Sequence, residues 1–335
     1  MKKIFNIAKY LLFIGIGIFI FWKVYKDQPI DELIDSASQV NYWWVAFALV
    51  IGVFSHIIRA LRWDIALQSN NLKARKDNLF YSVMVGYLAN YAFPRMGEIS
   101  RAAVLKKYNN IPFTTSFGTI VTERLVDLII LLLFTLTVLI FQKDVISTFL
   151  LENPSISENV NKMISLENIL IFSAIAIMSL LVYLFLITRK TQNNLLEKVL
   201  KKLSELKIAI LSIFKLKRPL LYIFYSILIW VLYYLGLYLA LPGFSFYHEL
   251  NLGHLAVFTV FVMGSYGMVA PIQGGLGAYH FMIISTLVIY GTDSVDARLF
   301  ALIVHGTQTI LIIILGFFSL IAMSTVNKKN NTNGQ

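Results

Sequence analysis

Thr119-x-x-Thr122-Glu123-Arg124-x-x-Asp127 places two carboxylates and a guanidinium inside a long apolar run, residues 113–141. Charged groups at that depth in a hydrocarbon layer are costly, and they persist where they face a partner or a wet cavity. A spacing of four puts Thr119, Glu123 and Asp127 on one helix face, with Arg124 beside it. Such a set can hold an anion, relay protons, or close on itself as an internal bridge, for example between Arg124 and Glu98.

A second group follows the end of an apolar stretch: Pro94-Arg95-Met-Gly97-Glu98-Ile-Ser-Arg101. Proline ends one helix and glycine lets backbone approach closely. The helix that starts next presents its N-terminus, which favours anions. Arg95 and Arg101 have the forked geometry that grips phosphate; the competing role is snorkelling to the surface. Glu98 can pair with either arginine or with Arg124. Far downstream, Pro271-Ile-Gln273-Gly274-Gly275-Leu-Gly277 repeats the form Pro-x-x-Gly. Its glycines expose backbone at a helix start, which again suits an oxyanion. It lacks the Lys-Ser/Thr of a nucleotide-binding loop. Arg59 and Arg62 end another apolar run. Snorkelling is the expected role of at least one of them, while His56 and Arg59 share a face able to line a site. His305 and Gln308 share a face whose expected role is interhelical hydrogen bonding. The five histidines have no metal-ligand spacing, so neither metal nor cofactor is expected.

These residues must be held by something, and composition says what. The chain has 335 residues, 58% hydrophobic and 14% charged, against about 45–50% and 25% in soluble domains. The apolar runs are continuous rather than alternating, so the expected class is an all-α, polytopic helical membrane protein rather than a barrel. Cysteine is absent, which removes disulfides and thiol chemistry. The net charge of +11 lies in short basic loops, the cytoplasmic excess of helical membrane proteins, and nucleic acid is not expected as a partner.

Apolar segments fall at 4–24 (with no small-x-small cleavage site after it), 42–61, 79–93, 113–141, 166–187, 219–241, 254–270, 278–290 and 297–323. A basic linker, 188–218, has amphipathic spacing and is expected to lie on the membrane surface. The loops on both sides of 79–108 are basic, and those on both sides of 254–290 are poor in Lys and Arg. Each segment is therefore expected to return to the side it entered from. The expectation is about six full spans and two re-entrant helical hairpins in one domain, 1–325. Its inverted halves, about 1–145 and 165–325, are followed by a disordered tail, 326–335. Interrupted segments at matching positions of two halves point to a transporter binding site. Both termini are expected on the cytoplasmic side of the cell membrane.

Arg59-x-x-Arg62-Trp63, Pro94-Arg-x-Gly97-Glu98-x-x-Arg101, Glu123-Arg124-x-x-Asp127 and Pro271-x-x-Gly274-Gly275-x-Gly277 resemble the transmembrane region of lysylphosphatidylglycerol synthetases, and the flippase-like membrane proteins made of that region alone. The resemblance covers essentially the whole chain. It implies a lipid flippase, moving a phospholipid or lipid-linked headgroup between leaflets. In full-length synthetases this region moves aminoacylated phosphatidylglycerol, and a separate soluble domain performs aminoacyl transfer. Here only short polar segments lie outside the spans, so that activity is not carried over and no enzyme is expected. One departure is His280, where the resemblance would place a glutamate. The expected partner is a membrane lipid with an anionic, phosphate-bearing headgroup. The candidate headgroup residues are Arg59, Arg95, Glu98, Arg101, Glu123, Arg124, Asp127, Gln273, Gly274 and Gly275; the breaks are Pro94, Gly97, Pro271 and Gly277. Two rivals stand beside this reading. One is a membrane enzyme acting on a lipid-linked headgroup, with Glu123 or Asp127 as base. The other is a non-transporting assembly partner of a cell-envelope lipid or glycan pathway.

Overall fold

The computed structural model describes residues 18–19, 21–26, 30–93, 95–163, 165, 168, 178 and 194–332. Helices make up most of the described residues, with no strand among them, and the protein is an all-α polytopic membrane protein. Its helices are α1 (Ile30–Ser38), α2 (Tyr42–Gln68), α3 (Lys76–Ala92), α4 (Met96–Asn109), α5 (Phe113–Phe141), α6 (Lys143–Glu152), α7 (Pro154–Met163), α8 (Asn194–Leu211), α9 (Pro219–Ala240), α10 (Ser245–Leu250), α11 (His254–Val269), α12 (Ala278–Ile289) and α13 (Ser294–Thr332).

Among the described residues, four stretches are long and apolar enough to cross a bilayer: Tyr42–Gln68, Phe113–Phe141, Pro219–Gly243 and Ser294–Asn327. The two further expected spans, 4–24 and 166–187, lie largely outside the described residues. Helix α5 shows how side chains are sorted. Leu125, Leu128, Ile129, Leu132 and Leu136 are exposed at helical spacing, while Thr119, Glu123 and Asp127 are buried on the other face. The apolar stripe meets lipid and the polar stripe faces protein, the reverse of a soluble helix.

Two pairs of short helices stand apart. Helices α3 and α4 have 17 and 14 residues, and α11 and α12 have 16 and 12. At 1.5 Å per residue each rises about 18–26 Å, short of the roughly 30 Å hydrocarbon thickness. Glycine lets the arms of each pair close up. A methyl on Gly86 would meet the Arg101 stem, and one on Gly97 would meet Asn90. In the second pair Gly264 faces Ile283, and Gly267 faces Tyr279 and Ala278. Partner numbers fall on one arm as they rise on the other, so both pairs are antiparallel.

Helix α2 packs along α9, and α13 packs against α3 and α12. The apolar core has two parts. One joins Trp230, Leu237, Phe261, Ile283 and Phe300; the other surrounds the fully buried Trp63.

Several expectations need adjusting. Stretches left between the apolar segments are also helical: 30–38 forms α1, and 143–152 and 154–163 form α6 and α7. The last turns of α8, expected on the membrane surface, pack on α5. Ala209 sits over Gly118, and the Thr122 hydroxyl donates to the Ile210 carbonyl at 3.3 Å. The absent side chain of Gly118 is what admits α8. Helix α13 runs on to Thr332, into the stretch expected to be a disordered tail.

Candidate functional site

Arg59 and Arg62, three residues apart on α2, point from one face toward α5. Arg62 is completely buried. Its Nη1 donates to Asp127 Oδ1 at 2.7 Å and its Nη2 to Asp127 Oδ2 at 3.3 Å, a bidentate grip. Its Nε reaches Glu123 Oε1 at 3.4 Å, and Nη1 also reaches the Ser226 hydroxyl of α9. Arg59 donates from Nη1 to Asp127 Oδ2 at 3.1 Å, and from Nε and Nη2 to the Tyr233 hydroxyl. From α4, Arg101 Nη2 donates to Glu123 Oε2 at 2.8 Å, and its guanidinium lies 4.1 Å from the centre of the Trp63 ring. The Trp63 indole in turn donates to the Thr119 hydroxyl at 3.0 Å. At the rim, Arg124 Nε donates to Glu98 Oε1 at 2.9 Å.

Four arginines thus meet three carboxylates, Glu98, Glu123 and Asp127, across α2, α4 and α5. Among the described residues the cluster carries one more positive charge than negative. Its inner members are closed off: Arg59, Arg62, Arg101 and Glu123 are each at most 3% exposed. The Arg124 side chain is 38% exposed, so the opening lies there. Removing ions from water is expensive, and close multidentate pairing is what offsets it.

The two breaks touch each other. Helix α3 ends at Ala92 and α4 begins at Met96; Pro94 itself lies outside the described residues. Arg95 adopts a left-handed conformation, φ 61°, uncommon for a residue with a side chain. Its Nη2 donates to the Val269 carbonyl at 2.6 Å, at the end of α11. Gly97 N–H donates to Asn90 Oδ1 at 2.7 Å, tying the break together. Gly274, also left-handed, packs against the Tyr91 ring, where no Cβ fits. Helix α13 holds both. The hydroxyls of Tyr91 and Thr309 lie 3.1 Å apart, and His305 Nε2–H donates to the Gly274 carbonyl at 2.8 Å. His280 Nδ1 accepts from Gly277 N–H at the start of α12. Gln273 is buried, and neither amide atom has a protein partner. Gly275, with Gly274 and Gly277, has positive φ; Pro271 is exposed.

The residues singled out by spacing therefore fall into two groups. Arg59, Glu98, Arg101, Glu123, Arg124 and Asp127 form one ion network. Arg95, Gln273, Gly274 and Gly275 belong to the junction of the two breaks. Snorkelling is ruled out for Arg59, Arg62 and Arg101, which point into protein. Arg62 is the member that spacing undervalued. Its proximity to a basic loop suggested the surface, yet it shares a face with Arg59, and two acids in the next long span needed partners. Tyr233, Ser226 and Asn90 carried no signal of their own. His305 makes a hydrogen bond between elements, as its position suggested. Among the described residues no cluster of His, Asp or Glu is arranged to hold a metal.

An open groove of about 510 Å³ lies between α5, α9 and α11, walled by Phe134, Trp230, Tyr234, Phe258 and His254. Trp230, in the groove wall, stands edge-on to Tyr233, the partner of Arg59.

Comparison with known proteins gives a consistent result. The family described as the lysylphosphatidylglycerol synthase TM region matches residues 6–316. A UPF0104 membrane protein of Methanothermobacter thermautotrophicus is 24% identical over 316 residues, 87% of this chain and 86% of the relative. One of Methanocaldococcus jannaschii is 32% identical over 113 residues, 33% of this chain and only 34% of that relative's length. The glycosyltransferase AglD of Haloferax volcanii is 31% identical over 100 residues, 30% of this chain and 16% of that protein. No solved structure matches.

Proposed function

This chain belongs to the family of the lysylphosphatidylglycerol synthase transmembrane region, and from that premise and the charge network we propose that it is a lipid translocase for a lipid with an anionic, phosphate-bearing headgroup. The carrying observation is the buried ion network with one surplus positive charge, open to its surroundings at Arg124. A phosphodiester supplies the missing negative charge. Arg124 would meet it first, exchanging its bond to Glu98 for one to phosphate, with Arg101 behind it. The lipid tails would remain in the bilayer, and the aromatic groove at Trp230 is suited to hold one of them.

The translocase reading is preferred to a headgroup-modifying enzyme. A general base needs an available lone pair, and both carboxylate oxygens of Glu123 and of Asp127 already accept from Arg59, Arg62 or Arg101. The test is lipid movement in vesicles reconstituted with Arg124→Ala. Movement of a labelled anionic phospholipid is expected to fall to the protein-free rate while the melting temperature holds. Movement at the wild-type rate would remove the site assignment.

The same reading takes α3–α4 and α11–α12 as re-entrant hairpins of two inverted halves, in the cell membrane with both termini cytoplasmic. Packing supports this: α2 lies on α9, its counterpart, and the return arms α4 and α12 lie on α5 and α13. The first arms α3 and α11 lie on the opposite half's last span, α13 and α5. The absence of cysteine permits a clean check. Single cysteines at Lys73 and Asn110 are expected to react with an impermeant reagent from the same side of the membrane. Labelling from opposite sides would make α3–α4 a crossing.

A further inference from the structure

Arg95 is a candidate residue that the ion network leaves out. It stands between α3 and α4 at φ 61° and ψ 14°, in the left-handed region. Among the described residues the other non-glycine positions with positive φ are Asn71, Asn110 and Asn251. Asparagine tolerates that region, whereas a long side chain rarely enters it. Strain of this kind persists where neighbouring contacts impose it, and it gathers at switch regions. Here the contact is with the other break. Arg95 Nη2 donates to the carbonyl of Val269, the last residue of α11. That carbonyl is one of the four at a helix C-terminus that lack an intrahelical donor, at the negative pole of the helix. The hydrogen bonds of Tyr91 and of the Gly274 carbonyl run to α13. The Arg95 bond instead ties the start of α4 directly to the end of α11. It uses one of the five N–H groups of an exposed guanidinium, and Arg95 has no other hydrogen bond or ion pair among the described residues. Glu98, the partner of Arg124, follows one turn later. Arg95 therefore stands one turn from the opening at Arg124, at the tip of the break.

We propose that Arg95 is an exchangeable clasp between the two breaks, trading the Val269 carbonyl for a phosphate oxygen of the headgroup. The inference rests on the translocase reading and adds a gate to it. The acceptor that Arg95 leaves is a neutral carbonyl held by one bond at 2.6 Å. The acceptor that it takes is charged and can engage two N–H groups of the fork, a stronger arrangement. Letting go of Val269 also removes the contact that holds the left-handed turn. A headgroup that reaches Arg95 thus parts the two breaks on its way to Arg124. Arg95 is exposed, so replacing it tests the clasp with little effect on the fold.

The chain has no cysteine, so spin labels can be placed at Ile99→Cys and Val269→Cys, both exposed positions. The distance between them is measured in maltoside micelles. With Arg95 in place one short distance is expected. Phosphatidylglycerol is expected to lengthen it. A glucosyl diacylglycerol with the same tails, which lacks phosphate, is expected to leave it unchanged. Inorganic phosphate forms a third arm, and a shift there equal to that of phosphatidylglycerol would overturn a lipid headgroup as the occupant. Arg95→Asn tolerates the left-handed turn but lacks the guanidinium. It is expected to show the longer distance without lipid, to be unmoved by phosphatidylglycerol, and to keep the wild-type melting temperature. A short distance in Arg95→Asn, or a distance that phosphatidylglycerol leaves in place when Arg95 is present, would overturn the clasp. These distances are read without lipid movement between leaflets, so failure here and failure of the translocase reading are separable.

Discussion

Replacing Arg62 with leucine is expected to destabilise the fold by about 3–5 kcal/mol, the range for breaking a buried ion pair from one side. Arg62 is completely buried, and its guanidinium is the group shared by Glu123, Asp127 and Ser226. Without it both carboxylates keep one fewer partner at a buried site. The loss is not simply the worth of the bonds, because it includes the cost of charge left unpaired. That distinction can be measured. A double change, Arg62→Leu with Asp127→Leu, removes both halves of the bidentate pair and is expected to be less destabilised than the sum of the single changes. Denaturant titration of the detergent-solubilised protein reads the difference. A single variant within about 0.5 kcal/mol of wild type, the range of an ordinary surface change, would mean that Arg62 is not the keystone described here.

The second large effect concerns backbone rather than charge. At Gly267 an added methyl would lie 2.6 Å from Tyr279 Cα, 2.7 Å from its N and 2.8 Å from the Ala278 carbonyl. All three are backbone atoms, so no rotamer change relieves the contact and the arms of α11–α12 must part. Overpacking of this kind costs about 1–3 kcal/mol, and Gly267→Ala is expected to fall in that range. Gly306 on α13 is the control, because nothing lies within 4 Å of the methyl it would gain. There alanine is expected to add about 0.5–1 kcal/mol through its better helix propensity. Melting temperatures that shift equally in the two variants would show that close packing at Gly267 contributes nothing.

Much of this architecture is legible in the sequence because the bilayer permits so little. Continuous apolar runs leave only helices as spanning structures, and acids within such a run demand partners, so Glu123 and Asp127 announced a network before any partner was known. The pairing pattern was less legible. Nothing near Arg62 distinguishes a side chain aimed outward from one aimed inward; that is fixed by α9, which lies against α2 from far along the chain and brings Ser226 and Tyr233. The packing of α8 on α5 was hidden for a similar reason. Its amphipathic pattern fits a membrane surface equally well, and the deciding feature is one missing side chain, at Gly118, on a different helix. The breaks were visible as Pro-x-x-Gly, but their mutual contact was not, since it joins Arg95 to Val269 and Tyr91 to Gly274, pairs with no shared sequence pattern.

That contact has a mechanical consequence. Thr309 and His305, which hold Tyr91 and the Gly274 carbonyl, are one helical turn apart on α13, about 6 Å of rise. Both breaks thus hang from the same short length of one beam. His305 and Thr309 share one face of α13, so a twist of that helix about its axis moves both contacts together.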